Sequence, residues 1–306
     1  MNIKNIDNVP FKKVCSLYNK ILPNDTLSDA FIKNKTFEDP DFNPEMNLFA
    51  EVDGELVGFM FGVARKTDDG IQGGIKAFGV DGKHRNKGIA TALLNELETR
   101  MFKNDCKSVT IGFTRPNYIT AGIDPRLYTV GTAFLIRRGY QKIGDVFNMD
   151  VELDDSDWST ADCEKELAKD GITVRRLPKE DIEKFRSWMN KDGYSSGWQY
   201  QVMTAAQQEP VAVFVAEKDN DYLAFACYDG VRPGWFGPMG TSGQLRGKGI
   251  GTVTYLKCLQ SMKELGYKTC VINAVGPLYF YSKVSNAVVN RIFWRMNKNL
   301  EQPVDL

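Results

Sequence analysis

Histidine is nearly missing: the 306 residues contain one, His84. Ser-His-Asp or Cys-His catalysis would have to rest on that residue alone, and a multi-histidine zinc site is excluded. The six cysteines, Cys15, Cys106, Cys163, Cys227, Cys258 and Cys270, are scattered with no C-x-x-C pair. The opening "MNIKNIDNVPFKK" lacks the apolar core of a secretory signal, so reduced thiols in a cytoplasmic protein are the expectation. No stretch approaches 18 consecutive apolar residues, and a membrane span is not expected. Neither sign of charge is in excess, Lys+Arg and Asp+Glu numbering 39 each. That balance argues against a nucleic-acid partner, which usually calls for a basic surplus. What is present is ordinary globular composition, 42% hydrophobic and 25% charged, in a length that suits two domains of about 150 residues.

The chain repeats itself. "RNKGIAT" begins at Arg85 and "RGKGIGT" at Arg246, 161 residues later. At the same offset Met101 meets Met262, Lys107 meets Lys268 and Ile111 meets Ile272. Upstream, Phe49–Phe59 lies over Val215–Phe225 at an offset of 166, so the first copy holds five extra residues, for which Lys66–Gly74 is the natural place. In each copy two strand-like runs flank a turn (Asp53-Gly54 in the first), a third strand leads into the glycine turn, and a helix and a further strand follow. The first helix, "IATALLNELETRMFK", carries apolar residues at Ile89, Leu93, Leu94, Leu97 and Met101, the spacing of one buried face. The reading is an α/β fold in two tandem domains, each a mixed, largely antiparallel sheet with flanking helices. The expected boundaries are residues 1–152, a polar linker over 153–170, and residues 171–306.

The repeated turn has the makings of an anion mould. Free N–H groups at a helix start face outwards, the helix dipole places about half a positive charge there, and glycine lets the backbone approach a ligand closely. Candidate contacts are Arg85, Asn86, Lys87, Gly88, Ile89, Ala90 and Thr91 in the first copy. Their counterparts are Arg246, Gly247, Lys248, Gly249, Ile250, Gly251 and Thr252. A P-loop is excluded because Gly247-Lys248 is followed by Gly249 and Ser242 stands at the first-glycine position; a G-x-G-x-x-G dinucleotide turn is excluded by Thr254.

R-x-x-G-x-[GA] between a fourth strand and its helix, twice, resembles the GNAT acetyltransferase superfamily and within it the tandem members. "GIDPRLYTVGTAFLIRRGYQKIG" (Gly122–Gly144), "NMDVEL" (Asn148–Leu153) and "GPLYFYSK" (Gly276–Lys283) are similar to that group as well. The resemblance covers nearly the whole chain. It implies acetyl-CoA as cofactor, its pyrophosphate on the turn and its pantetheine arm along a splayed fourth strand. It also implies backbone N–H groups around Gly79-Val80 and Gly240-Thr241 that polarise the thioester carbonyl, and a tyrosine in an F-Y-x-K run that protonates the departing thiolate.

That run is Phe280-Tyr281-Ser282-Lys283 in the second domain, which makes Tyr281 the catalytic candidate. In the first domain Leu135 stands in the tyrosine's place and cannot give a proton, so the second domain is favoured for catalysis and the first is weakened or a scaffold. Tyr118 and Tyr128 lie in the same loop region as possible substitutes. No general base stands out; Glu51 and Glu217 occupy matched strand positions that equally suit solvent-facing charges. His84 suits phosphate contact or an exposed loop. Trp198 and Tyr200 either line an acceptor pocket or pack in the core. The function expected is an acetyl-CoA-dependent N-acetyltransferase acting on a primary amine of a small molecule or peptide, in a monomer or weak homo-oligomer. The alternatives are an acyltransferase using a larger acyl-CoA, a non-catalytic acyl-CoA sensor, and a pair of interaction domains.

Overall fold

The computed structural model describes residues 1–67, 70–243 and 247–300. The chain divides into two compact units, Met1–Val146 with Ile292 onward, and Phe147–Arg291.

The first unit is a six-stranded sheet in the order β1 (Asn2–Asn5), β2 (Asn47–Val52), β3 (Glu55–Thr67), β4 (Gly70–Val80), β5 (Cys106–Ile111) and β12 (Val288–Asn299). All neighbours are antiparallel except β4 and β5. The β2–β3 turn has Asp53 and Gly54 both at positive φ, 50° and 82°, the conformation a two-residue hairpin requires and the reason for Asp-Gly there. Strand alternation sorts the core by face. Phe49, Phe59 and Phe61 pack with Val14, Leu17 and Tyr18 of α1 (Phe11–Ile21) and Ile32 of α2 (Asp29–Lys35). Leu48, Val57 and Met60 meet α3 (Ile89–Lys103) on the other side. The buried residues of α3 are Ile89, Leu93, Leu94, Leu97 and Met101, the stripe read from the sequence. The last helix of this unit is α4 (Thr129–Arg137).

The second unit repeats the plan. Its order is β6 (Gln141–Glu152), β11 (Thr269–Ile272), β10 (Trp235–Thr241), β9 (Asp221–Tyr228), β8 (Val213–Lys218) and β7 (Thr173–Arg176). Only β10 and β11 run parallel. Its helices are α5 (Ala161–Lys169), α6 (Ile182–Lys191), α7 (Ser196–Ala206), α8 (Ile250–Glu264) and α9 (Leu278–Ser285). Helices α3 and α8 are both 15 residues long and start 161 residues apart. The extra residues of the first copy lengthen its hairpin: β3 and β4 have 13 and 11 residues where β9 and β10 have 8 and 7. Asp68 and Asp69, between β3 and β4 in the sequence, lie outside the described residues.

The boundaries differ from those expected at 152 and 171. The second unit begins at Phe147, because Met149–Glu152 pair with Ile272–Thr269 of β11. The first unit takes back the end of the chain: Met296–Asn299 pair with Ile111–Ser108 of β5, and Phe293 and Met296 are fully buried. Each sheet is thus completed by a strand from the other half of the sequence, which covers a backbone edge that would otherwise stand open. The expected linker is also structured. Within it α5 buries Leu167, Glu164 pairs with Lys257 of α8 at 2.7 Å, and the Trp158 indole donates to the Leu153 carbonyl at 2.8 Å.

Candidate active site

In both units the central parallel pair opens into a fork. β4 follows β5 only as far as Ile75↔Ile111, and the Gly112 N–H donates to the Ile75 carbonyl at 2.9 Å. A bulge against β3 falls at this point, and Ala77–Val80 then pair with β3 alone. In the second unit β10 follows β11 to Phe236↔Ile272, where the Asn273 N–H donates to the Phe236 carbonyl at 3.2 Å. The bulge at Gly237-Pro238 comes next, and Met239–Thr241 pair with β9 alone. Ile75 and Phe236 are 161 residues apart, as are Gly112 and Asn273, so the fork belongs to the repeat.

A bulge inserts a residue and bends the strand beyond it, and one strand edge of Ala77–Val80 and of Met239–Thr241 has no strand partner among the described residues. Gly79 and Gly240 lie on these edges, and each is also a seat for the layer above. A side chain at Gly79 would meet Ile21 of α1 at 2.3 Å, and one at Gly240 would meet Tyr194 at 2.7 Å and Phe225 at 2.9 Å. Val80 and Thr241 end the two strands.

The turns then enter the helices in one conformation. Gly88 (φ 79°, ψ −2°) and Gly249 (φ 81°, ψ −5°) are the left-handed N-caps of α3 and α8. Asn86 at φ 60° is matched by Gly247 at φ 86°. Neither glycine has a side chain to cap its helix, so among the described residues the first N–H groups, at Ile89, Ala90 and Thr91 and at Ile250, Gly251 and Thr252, are left without a side-chain cap and suit an outside acceptor. Lys87 and Lys248 are exposed beside them. Arg85 turns its Nε back to the Val80 carbonyl at 3.1 Å. Arg246 lies outside the described residues. His84 donates its backbone N–H to the Asp81 carbonyl at 2.9 Å. One cation at the first turn escaped the sequence reading: Arg138, after α4, donates to the Thr91 hydroxyl at 2.6 Å. Only the doubled arginine of "IRRGY" hinted at it.

Tyr281 of α9 is 5% exposed, and its ring lies against Phe236 (centroids 6.1 Å apart), Tyr255 (5.2 Å) and Phe280 (5.0 Å). The structure therefore brings it to the residue at which the second fork opens. Burial pushes its phenol well above the ordinary value, with Cys270 and Cys258 nearby adding to the shift. Its hydroxyl makes no hydrogen bond among the described residues. Leu135, fully buried in α4, offers no such group in the first unit. Tyr128 donates instead to the buried Asp25 carboxylate at 2.6 Å, and Tyr118 is buried against Phe113.

Other candidates are engaged in the scaffold. Glu51 pairs with Lys4 at 2.6 Å, and Glu217 takes a two-pronged contact from Arg175 at 2.7 and 2.8 Å. Trp198 is half-buried and stacks on Tyr194 at 5.9 Å, and Tyr200 is half-buried in α7. In the first unit Lys76, at the fork, is buried and donates to Asp39 and to the Lys35 carbonyl. Arg65 clasps the same Asp39 at 3.0 and 2.8 Å. Burial pushes the Lys76 ammonium down to about 8 against the pull of Asp39. For Asp39, burial works upwards, but Lys76 and Arg65 together hold it below the usual range.

A family model described as the acetyltransferase (GNAT) family matches residues 11–122 and 178–278. The chain belongs to this family. Among solved structures, a glucosamine N-acetyltransferase region of a fungal multi-domain GH3 β-N-acetylglucosaminidase is similar with a TM-score of 0.77 and 16% identity, over 97% of this chain and 38% of that one. This chain thus spans well under half of that protein. A tandem GNAT protein from the clavulanic acid biosynthesis pathway is similar at TM-score 0.67 and 15% identity, over 99% and 100% of the two chains. A GCN5-related N-acetyltransferase from Sphaerobacter thermophilus is similar at 0.65 and 15%, over 100% and 97%. Two GNAT domains in tandem account for the repeat, the forks and the doubled turn. No helix among the described residues is long and apolar enough to cross a membrane.

Proposed function

We propose that the second unit is an acetyl-CoA-dependent N-acetyltransferase acting on a primary amine. The observation that carries this reading is the meeting, in one unit, of an open strand fork after Phe236, a capless helix start at Gly249, and Tyr281 on the ring of Phe236. The cofactor supplies an acetyl group activated as a thioester. The residues present fit it: nothing lies within 4 Å of a side chain built at Gly247 or Gly249, so the backbone can close on a pyrophosphate. The N–H groups from Gly249 to Thr252 would hold that charge together with Lys248, and the sequence pattern assigns Arg246 to the same task. The edge of Met239–Thr241 that faces away from β9 would take the pantetheine amides and polarise the carbonyl. Tyr281 keeps its proton through neutral pH and gives it to the leaving sulfur.

The first unit keeps the cradle, with Gly79, Val80 and the turn from Arg85 to Thr91, and Leu135 stands where an acid is needed. Its reading is an acyl-CoA-binding domain without transfer. The acceptor remains a primary amine; the name of the fungal relative makes glucosamine a sensible first amine to assay.

The test is calorimetric titration with acetyl-CoA, followed by thiol release in the presence of glucosamine and a panel of other amines. Two sites support cradles in both units, and amine-dependent release lost on Tyr281→Phe supports catalysis in the second. Binding without release in any amine makes the protein a sensor, and no binding at all discards the reading.

A further inference from the structure

One polar pair in the second unit is not used by this chemistry. Phe236 faces α8, since its ring meets Tyr255 at 4.8 Å. Directly paired residues share a face, so Ile272 and Met149 face α8 too. Asn148 and Asp150 therefore stand on the opposite face, one strand from the fork. Asn148 is fully buried; its Oδ1 accepts the Ala274 N–H at 3.0 Å, next to Asn273, whose own N–H marks the fork. Its Nδ2 and the Asp150 Oδ1 are both enclosed and have no hydrogen-bond partner among the described residues. The other Asp150 oxygen accepts from Asn290.

Residues two apart on a strand are separated by about 6.6 Å, which leaves room for one small group between an amide donor and a carboxylate acceptor. A group that satisfies both must accept from Asn148 and donate to Asp150, as a water does and an ammonium cannot. We infer that Asp150 is the proton acceptor of the second unit, taking the acceptor ammonium's proton through a water held between it and Asn148. This rests on the transferase reading above.

The protons balance. The ammonium gives one proton through the water to Asp150, which later releases it to solvent. The freed amine forms the N–C bond as the C–S bond breaks, Tyr281 protonates the sulfur and regains the amine's second proton. Burial raises the Asp150 carboxyl, and Glu152 on the same strand adds to that; the Asn290 hydrogen bond and Arg291 pull it down. Across β11 Asp150 pairs with Val271, and Cys270 beside it is the titratable group of that strand that interacts with Asp150. The net upward direction suits a base working near neutrality.

The experiment has two arms on the full chain. A crystal structure of the wild type is expected to show a water bonded to both Asn148 Nδ2 and Asp150 Oδ1, and density lacking that bridge overturns the relay. Thiol release with glucosamine and the amine panel is then followed against pH. Asp150→Asn is expected to lower kcat about 100-fold and remove the acid limb of the profile, with acetyl-CoA affinity by calorimetry unchanged. Asn148→Ser, which keeps a donor, should retain the limb. An active wild type whose limb survives Asp150→Asn overturns this inference alone. A wild type that binds acetyl-CoA yet releases no thiol with any amine overturns the transferase reading and this one with it.

Discussion

Phe236 and Tyr281 meet edge to face, their planes 73° apart, at the residue where β10 leaves β11. The ring contact fixes where the phenol can act, and burial decides its protonation. Tyr281→Phe preserves the ring packing and removes only the hydroxyl. The expected result is a fall of about 100-fold in kcat with acetyl-CoA affinity unchanged. Because burial raises the Tyr281 phenol, the wild-type profile should show no loss of activity assignable to it between pH 7 and 9. Equal rates in both proteins would remove Tyr281 from the mechanism.

The paired caps make a second test. A side chain at Gly249 or Gly88 meets nothing within 4 Å, so the cost of alanine there is the left-handed backbone alone. Each substitution should destabilise its unit by about 1–2 kcal/mol, read by urea unfolding. Gly249→Ala should also weaken acetyl-CoA binding in the second unit. An unchanged affinity would separate the turn's shape from its ligand.

Ending the chain at Arg291 removes the strand that pairs with β5, together with Phe293 and Met296, both fully buried in the first unit. Losing two such side chains costs on the order of 6 kcal/mol or more, comparable to the stability of a whole domain. The truncated protein should therefore lose protection from proteolysis across residues 1–146. A stable, protected N-terminal unit would contradict the pairing of β12 with β5.

Lys76 predicts a pH dependence with a definite sign. Its folded value, about 8, lies below the 10.5 of an unperturbed lysine. Between these values the unfolded chain binds more protons, so stability rises with pH in that window. In Lys76→Met the contribution is absent. The stability of the wild type relative to the variant should therefore climb between pH 8 and 10.5, by up to about 3 kcal/mol. A flat difference would mean that Lys76 keeps its full charge against Asp39.

Much of the site was legible because its parts are local. A glycine before an apolar stripe marks a helix entry wherever it occurs, and Gly88 and Gly249 adopt the conformation that reading requires. Arg138, Asn148 and Asp150 lie inside blocks that resemble the tandem group, but no local pattern singles them out, because the partner of each is distant in sequence. Arg138 reaches Thr91 across 47 residues, and Asn148 meets Ala274 across 126.

By itself, the sequence determined the repeat, the hairpin turns, the helices that come after the glycine turns and the family they belong to. These rest on spacing and on backbone preferences that act over a few residues. Tertiary structure alone decided that Met149–Glu152 join the second sheet, that Met296–Asn299 join the first, and that Lys76 shares Asp39 with Arg65. A strand's own residues state that it needs an edge to bond to, and only the packed fold determines which edge that is.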